Sequence, residues 1–429
     1  MLRSGYSLFL WLAFPLLAIK LWVRSRREPG YSKGLGERFG CYKIETNASL
    51  IWVHAVSVGE VRASVPLVTA LQKKYPEHVM LLTCMTAAGR EAIEQVYGES
   101  VLAAFLPYDY PFAVRRFLDH FRPRVGVLME TEIWFNLLAE CRCRSLPVVL
   151  ANARMSSNSA NGYRRLSALT RPAFESLAAV CAQSEPDANR IASLGARHVS
   201  VCGNLKFDVM PDARLLAAGV ELKRLLEQKK VLVLASTREG EEALLLDALR
   251  GRLAEDTLLI VVPRHPRRFD EAAALLAASG MSFARRSRGE SAVGKKVLLG
   301  DTMGEMPIYY AAADVAVIGG TLLPYGGQNL IEACAVGVPV VIGPHVHNFN
   351  EATRVAVECG AAIQVADASD AIRSALALLD DPARREIMGK AGLAFCATHR
   401  GATGRHIAAI QDLLILDMET RERGARPPI

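Results

Sequence analysis

No G-x-G-x-x-G run follows the first predicted strand of this 429-residue chain. That argues against a Rossmann-type dehydrogenase, whose pyrophosphate turn needs glycine at all three positions. Nor do the cysteines form a framework. There are nine, an odd number, and most sit inside apolar runs such as Leu81-Leu82-Thr83-Cys84 and Ala179-Val180-Cys181. Only Cys141 and Cys143 lie close together, and with no second pair or neighbouring histidines they make neither a disulfide scaffold nor a zinc site. A reduced, cytosolic environment fits them. Repeats of fixed short period and low-complexity stretches are also missing, which excludes solenoid and disordered readings.

What is present is a chain with 51% hydrophobic and 22% charged residues, enough to bury the cores of two or three domains. The formal net charge of +7 favours an acidic partner, whether phosphate, anionic lipid or nucleic acid, without choosing among them. Residues 6–23 are almost wholly apolar, interrupted only by Ser7, Pro15 and Lys20. As a helix this segment would reach about 27 Å, close to the thickness of a bilayer core. Arg24, Arg26, Arg27 and Lys33 follow at once, and no small-residue cleavage site is visible. An uncleaved membrane anchor over residues 1–25 is therefore expected, with a buried core helix as the plainer alternative. The basic residues after the segment would keep the bulk of the chain on the cytoplasmic side.

Beyond it, short β-branched runs at 50–53, 79–82, 125–129 and 148–150 alternate with amphipathic stretches, and the alternation restarts after 230 with runs at 231–235, 258–262, 315–318 and 338–342. This pattern predicts an α/β fold of two doubly wound, Rossmann-like domains. Residues 211–230 read as a linker plus one helix, which sets the boundary near 215 and gives domains 26–215 and 216–429. Two such domains would turn the C-terminal ends of both sheets towards one cleft.

Polar motifs fall just after the predicted strands. His54-Ala55-Val56-Ser57-Val58-Gly59-Glu60 is a strand-to-helix turn that leaves Glu60 at a helix start, either as a dipole-complementing residue or as a carboxylate able to take a proton from a substrate hydroxyl. Glu130-Thr131-Glu132-Ile133-Trp134 puts two acids at a strand end, where they either bind cations of the fold or handle charge in a reaction. Gly203-Asn204-Leu205-Lys206-Phe207-Asp208 offers Lys206 to an anion, or to Asp208. In the second half, Ser236-Thr237-Arg238-Glu239-Gly240 and Pro263-Arg264-His265-Pro266 both suit anions. Gly326-Gly327-Gln328-Asn329-Leu330-Ile331-Glu332 reads as a phosphate cradle opening a helix, with an acid one turn inside that suits a ribose.

In order, 54–60, 130–134, Asn152-Ala153-Arg154, 205–208, Arg264-His265-Pro266, 300–305 and 327–332 resemble the Kdo transferases, the family that attaches 3-deoxy-D-manno-octulosonic acid (Kdo) to a lipid A precursor. The resemblance covers nearly the whole chain, N-terminal segment included. It implies a GT-B fold, CMP-Kdo as donor, lipid IVA as acceptor, a place at the inner membrane in lipopolysaccharide synthesis, and no metal, cofactor or nucleic acid. By position it implies Glu60 as general base, and Glu130 and Lys206 as groups that stabilise the transition state. It further implies a CMP site of Arg264, His265, Met303, Gly304, Glu305, Asn329, Leu330, Ile331 and Glu332. Phe135, Arg238, Gln328 and the pair Ala87-Ala88 depart from the family pattern, with Arg238 standing where a histidine is usual. A uridine-donor transferase or epimerase on the same two sheets, and a non-catalytic membrane-tethered scaffold, are the competing readings.

Overall fold

The structure, a computed structural model, describes residues 2–27, 34–227 and 229–424. The chain forms two compact units, Met1–Val209 with Arg400–Ile429, and Met210–His399.

The first unit is built on a seven-stranded sheet in the order β3-β2-β1-β4-β5-β6-β7. Its strands are β1 Ser49–His54, β2 His78–Cys84, β3 Leu102–Phe105, β4 Val125–Met129, β5 Val148–Ala153, β6 Ala179–Ala182 and β7 Val199–Val201, all paired in parallel. Helices cover both faces, so the central strands are apolar on consecutive residues instead of alternate ones. Leu50, Trp52, Leu128 and Leu150 pack with Phe117, Leu138 and Phe174 on one side, while Ile51, Val53, Val127 and Val149 pack with Leu67, Leu71 and Ile410 on the other. Gly126 on β4 makes room for the fully buried Trp52: a Cβ there would lie 2.8 Å from the indole. Replacing Trp52 with alanine would cost roughly 3 to 5 kcal/mol.

The N-terminal segment is helical from Leu2 to Arg27, but among the described residues no helix is long and apolar enough to cross a membrane, so the expected span is not found. One side of this helix is committed to protein. The ring of Tyr6 meets Phe135 edge-on at 5.1 Å, Trp11 lies 5.2 Å from Tyr110, and Tyr110 donates its hydroxyl hydrogen to Leu10 O at 2.8 Å. The helix is not a buried core element either, because Leu8, Phe9, Leu12, Leu16 and Ile19 are all exposed, Leu12 by 72%.

The second unit repeats the plan, in the order β10-β11-β9-β8-β12-β13-β14. The strands are β8 Lys230–Thr237, β9 Thr257–Pro263, β10 Phe283–Arg285, β11 Val297–Leu299, β12 Val315–Ile318, β13 Val340–Ile342 and β14 Ala362–Gln364, again parallel. The linker region carries the helix Ala213–Leu225. One feature departs from a boundary that assigns everything after 215 to the second domain. Residues Arg400–Ile429 return to the first unit, where Ile407, Ile410 and Leu414 of the helix Ala402–Gly424 complete the core beside Val61 and Leu67.

Candidate active site

In the first sheet the strand order reverses between β1 and β4, which opens a crevice at their carboxyl ends. Glu60 follows β1 and Glu130 follows β4, so the two acids singled out by sequence belong to that crevice.

Glu60 lies in the first turn of the helix Val58–Lys74, whose N-cap is Ser57. The Glu60 N–H donates to Ser57 Oγ at 3.4 Å, the N-cap half of a capping box, and the Ser57 hydroxyl donates to Glu60 Oε1 at 3.1 Å. Val56 N–H donates to Glu60 Oε2 at 2.7 Å. Capping is thus part of what this residue does. These hydrogen bonds and the helix dipole should hold a carboxyl below its ordinary value. Instead burial, with the charge of Glu130 next and Glu132 after it, pushes Glu60 up to about 7. A cap has no use for that; a base working near neutrality does.

Glu130 has a positive φ of 57°, a conformation that costs a non-glycine residue of order 1 kcal/mol and tends to be kept at functional positions. Lys206 Nζ donates to its Oε1 at 3.3 Å, and Arg154 Nη2 lies 3.8 Å from its Oε2. Both partners of the Lys206–Glu130 pair are largely shielded from solvent. The alternative pairing of Lys206 with Asp208 is not seen. Asp208 accepts from Gly401 N at 2.8 Å and Thr403 N at 2.6 Å, and so caps the C-terminal helix. Glu132 accepts from Trp134 Nε1 at 2.8 Å, and burial raises its carboxyl.

Asn152 falls within one of the motifs that carry the resemblance but takes no role from it, and His406 lies outside all of them. Asn152, at φ 52° in an irregularity of β5, accepts from Leu205 N at 3.0 Å through Oδ1 and so sets the turn that carries Lys206. A non-glycine residue in left-handed backbone cannot be read from sequence alone.

The second sheet reverses between β8 and β12. Arg264 follows β9, and its Nε donates to Gln328 Oε1 at 3.2 Å, which ties the β9 end to the loop after β12. His265 is lowered to about 4, first by burial and then by Arg238, Arg264, Arg267 and Arg268 around it, so the ring is neutral near pH 7 in a positive field. Met303, Gly304 and Glu305 form the turn after β11. Met303 is exposed, and Glu305 accepts from Arg286 Nε at 3.1 Å and from Thr302 Oγ1, with Arg286 the main cause holding its carboxyl below the ordinary range.

The expected phosphate cradle at 326–332 takes a different form. The helix is only Ile331–Cys334, so Glu332 lies in its first turn, not one turn inside. Gly327 N donates to Gly320 O at 2.7 Å and Gln328 N to Gly319 O at 3.2 Å, so these amides fold the loop instead of facing a phosphate. Glu332 Oε1 accepts from Asn329 Nδ2 at 2.9 Å.

Two parallel, doubly wound sheets with polar groups gathered at each strand-order reversal define a protein of the GT-B glycosyltransferase type. Solved structures share this fold. A UDP-GlcNAc 2-epimerase from Neisseria meningitidis is 15% identical with a TM-score of 0.57, covering 85% of this chain and 100% of that one. A glycosyltransferase from Rickettsia africae is 12% identical with a TM-score of 0.59, covering 86% and 99%. The sequence narrows the class further. Residues 33–209 match the family described as 3-deoxy-D-manno-octulosonic-acid transferase (kdotransferase), and residues 293–394 match glycosyl transferases group 1. The 3-deoxy-D-manno-octulosonic acid transferase of Bordetella pertussis is 45% identical over 96% of this chain and 99% of its own length, and that of Haemophilus influenzae 36% over 96% and 99%. The chain belongs to the Kdo transferase family.

Proposed function

We propose that this enzyme transfers Kdo from CMP-Kdo to a hydroxyl of the lipid A precursor lipid IVA, in lipopolysaccharide synthesis at the cytoplasmic face of the inner membrane. The observation that carries the reading is Glu60, a carboxyl raised to about 7 at the strand-order reversal, with the Lys206–Glu130 pair among its neighbours. At neutral pH a large fraction of Glu60 is ionised, and the ionised form is a stronger base than an ordinary carboxylate. It removes the proton of the acceptor hydroxyl as that oxygen attacks the anomeric carbon of Kdo. The bond from that carbon to the phosphate oxygen breaks, CMP departs, and the configuration inverts. The phosphate is a weak base and leaves without a strong acid, its charge met by Arg264. Lys206 and Glu130 place a compensated charge beside the reacting groups.

CMP is held by Arg264, His265, Met303, Gly304, Glu305, Asn329, Leu330, Ile331 and Glu332, with the Glu332 carboxylate on the ribose. The exposed apolar side of the N-terminal helix supports attachment to the membrane that holds the acceptor. Mass spectrometry of lipid IVA incubated with the enzyme and CMP-Kdo tests the reaction. A mass gain of one or more Kdo units is expected, and an unchanged acceptor, or transfer from a uridine donor in preference, would refute it.

A further inference from the structure

The strand ends of the second sheet carry more fixed positive charge than one phosphate requires. Arg268 is accounted for, since its Nη2 donates to the buried Glu242 at 2.9 Å and its Nη1 to Glu271 at 2.8 Å. Arg238 is held differently. No carboxylate pairs with it among the described residues, and its guanidinium lies over the ring of Tyr325, 4.6 Å from the centroid.

Its backbone is fixed with unusual care. Ser236, two residues earlier, has a φ of 56° at an irregularity of β8. The fully buried Glu241 then accepts from Arg238 N at 2.9 Å, Gly320 N at 2.6 Å and Leu322 N at 3.0 Å. One carboxylate thus ties the end of β8 to the end of β12, the two strands that flank the reversal, and its charge is met by three amides. Tyr325 is anchored in turn by its hydroxyl, which donates to Glu239 O at 3.0 Å.

Arg238 and the Arg264 loop are neighbours. A Cβ on Gly320 would lie 3.1 Å from Gln328 Nε2 and 3.5 Å from Arg238 Cγ, and Gln328 is the residue bound to Arg264 Nε. The stem of Arg238 and the Arg264-bound Gln328 thus meet at Gly320, which leaves space, and both arginines lie close enough to His265 to lower it. A donor made of a nucleoside monophosphate and a sugar acid carries two anions, one phosphodiester and one carboxylate, and a planar fork matches a carboxylate in bidentate fashion.

We infer that Arg238, positioned by Glu241 and Tyr325, is the subsite for the sugar carboxylate of the donor, beside the phosphate position at Arg264. This rests on the reading of the donor as CMP-Kdo. The test compares CMP, which lacks the carboxylate, with CMP-Kdo on the full chain. Arg238→Ala is expected to leave the Kd for CMP within about twofold and to raise KM for CMP-Kdo at least about tenfold, whereas Arg264→Ala weakens both ligands. Tyr325→Ala should raise KM in the same selective way by a smaller factor. Should Arg238→Ala fold poorly by thermal melting, Arg238→Lys, which keeps the charge and loses the fork, is expected to show the same selectivity. Equal loss of CMP and CMP-Kdo affinity, or an unchanged KM in a folded variant, overturns the subsite. A wild-type protein that bound no CMP would overturn the donor reading first, and the subsite with it.

Discussion

The backbone N–H of Asn152 donates to His406 Nε2 at 2.9 Å, joining the end of β5 to the C-terminal helix across 254 residues of sequence. The His406 Nδ1–H in turn donates to Ala402 O at 2.8 Å, so the ring must be neutral to hold both contacts. Burial lowers its pKa to about 4. The same helix donates from Arg405 Nε to Cys202 O at 2.8 Å and is capped by Asp208, which places it against both ends of the turn that carries Lys206.

His406→Ala is therefore expected to do more than leave a cavity. It removes the acceptor of a buried N–H, which costs about 1 to 3 kcal/mol, and it loosens Asn152 and with it Lys206. Thermal melting should show the lost stability, and the transfer rate should fall while CMP affinity holds. The sign with pH follows from the lowered histidine. The native state binds fewer protons than the unfolded chain between about pH 4 and 6.5, so the wild type loses stability as pH falls through that window. The variant should lose less there.

Lys206→Ala leaves Glu130 with Arg154 as its remaining cation, at 3.8 Å. The less compensated charge of Glu130 would raise the Glu60 carboxyl further, because Glu130 already contributes to its elevation. The acid limb of the pH–rate profile should move to higher pH, and turnover should drop on the order of tenfold or more. Lys206→Arg should restore the limb better than the rate. An unmoved acid limb in Lys206→Ala would show that this pair does not act on Glu60.

Much of this arrangement is legible in the sequence, for a physical reason. The central strands β1, β4, β8, β9 and β12 are buried on both faces and read as continuous apolar runs, and parallel sheets bind ligands at the carboxyl ends of such strands. The places of Glu60, Glu130 and Arg264 after strand ends follow from that, whereas their roles are read from the family resemblance. The edge strands β3, β10 and β14 are three or four residues long and only partly buried, so they lack the continuous apolar run that marks the equally short β12. The return of the last helix to the first unit is equally silent, since an apolar face does not say which sheet it covers. The contraction of the 326–332 helix comes from the hydrogen bonds of Gly327 and Gln328 back to Gly320 and Gly319 across the same loop, a closure that no helical periodicity encodes.

Deleting residues 1–25 separates the packing role of the N-terminal helix from its proposed attachment to the membrane. It would strip the rings of Tyr110, Phe135 and Phe112 of their partners Trp11, Tyr6 and Trp11, and remove the Leu10 carbonyl from Tyr110. A drop in melting temperature of the first unit is expected, with CMP binding by the second retained in calorimetry. Turnover of acceptor in vesicles should fall further than turnover of acceptor in detergent, since locality is lost as well. Loss of CMP binding on truncation would contradict this.

Glu60→Gln keeps the size of the side chain and one carbonyl oxygen for Val56 N–H, but it cannot take a proton. Turnover should fall on the order of a hundredfold or more, with CMP affinity nearly unchanged. The raised carboxyl also makes a stability statement with a definite sign. Between the ordinary value of 4.5 and about 7 the native protein holds a proton on Glu60 that the unfolded chain has released. Stability contributed by the neutral carboxyl is thus complete below about pH 4.5 and is lost as pH rises through 7, amounting to roughly 3 kcal/mol above that point. Glutamine does not titrate and has no such dependence on pH. The variant should melt near the wild type at pH 5 and above it at pH 8, while its rate stays low at both. A residue that served only as a helix cap would show the reverse, with a normal rate and the variant less stable at pH 8, where an ionised carboxylate serves the helix end better than an amide. Melting curves and transfer rates at the two pH values, on the same preparation, separate the two cases.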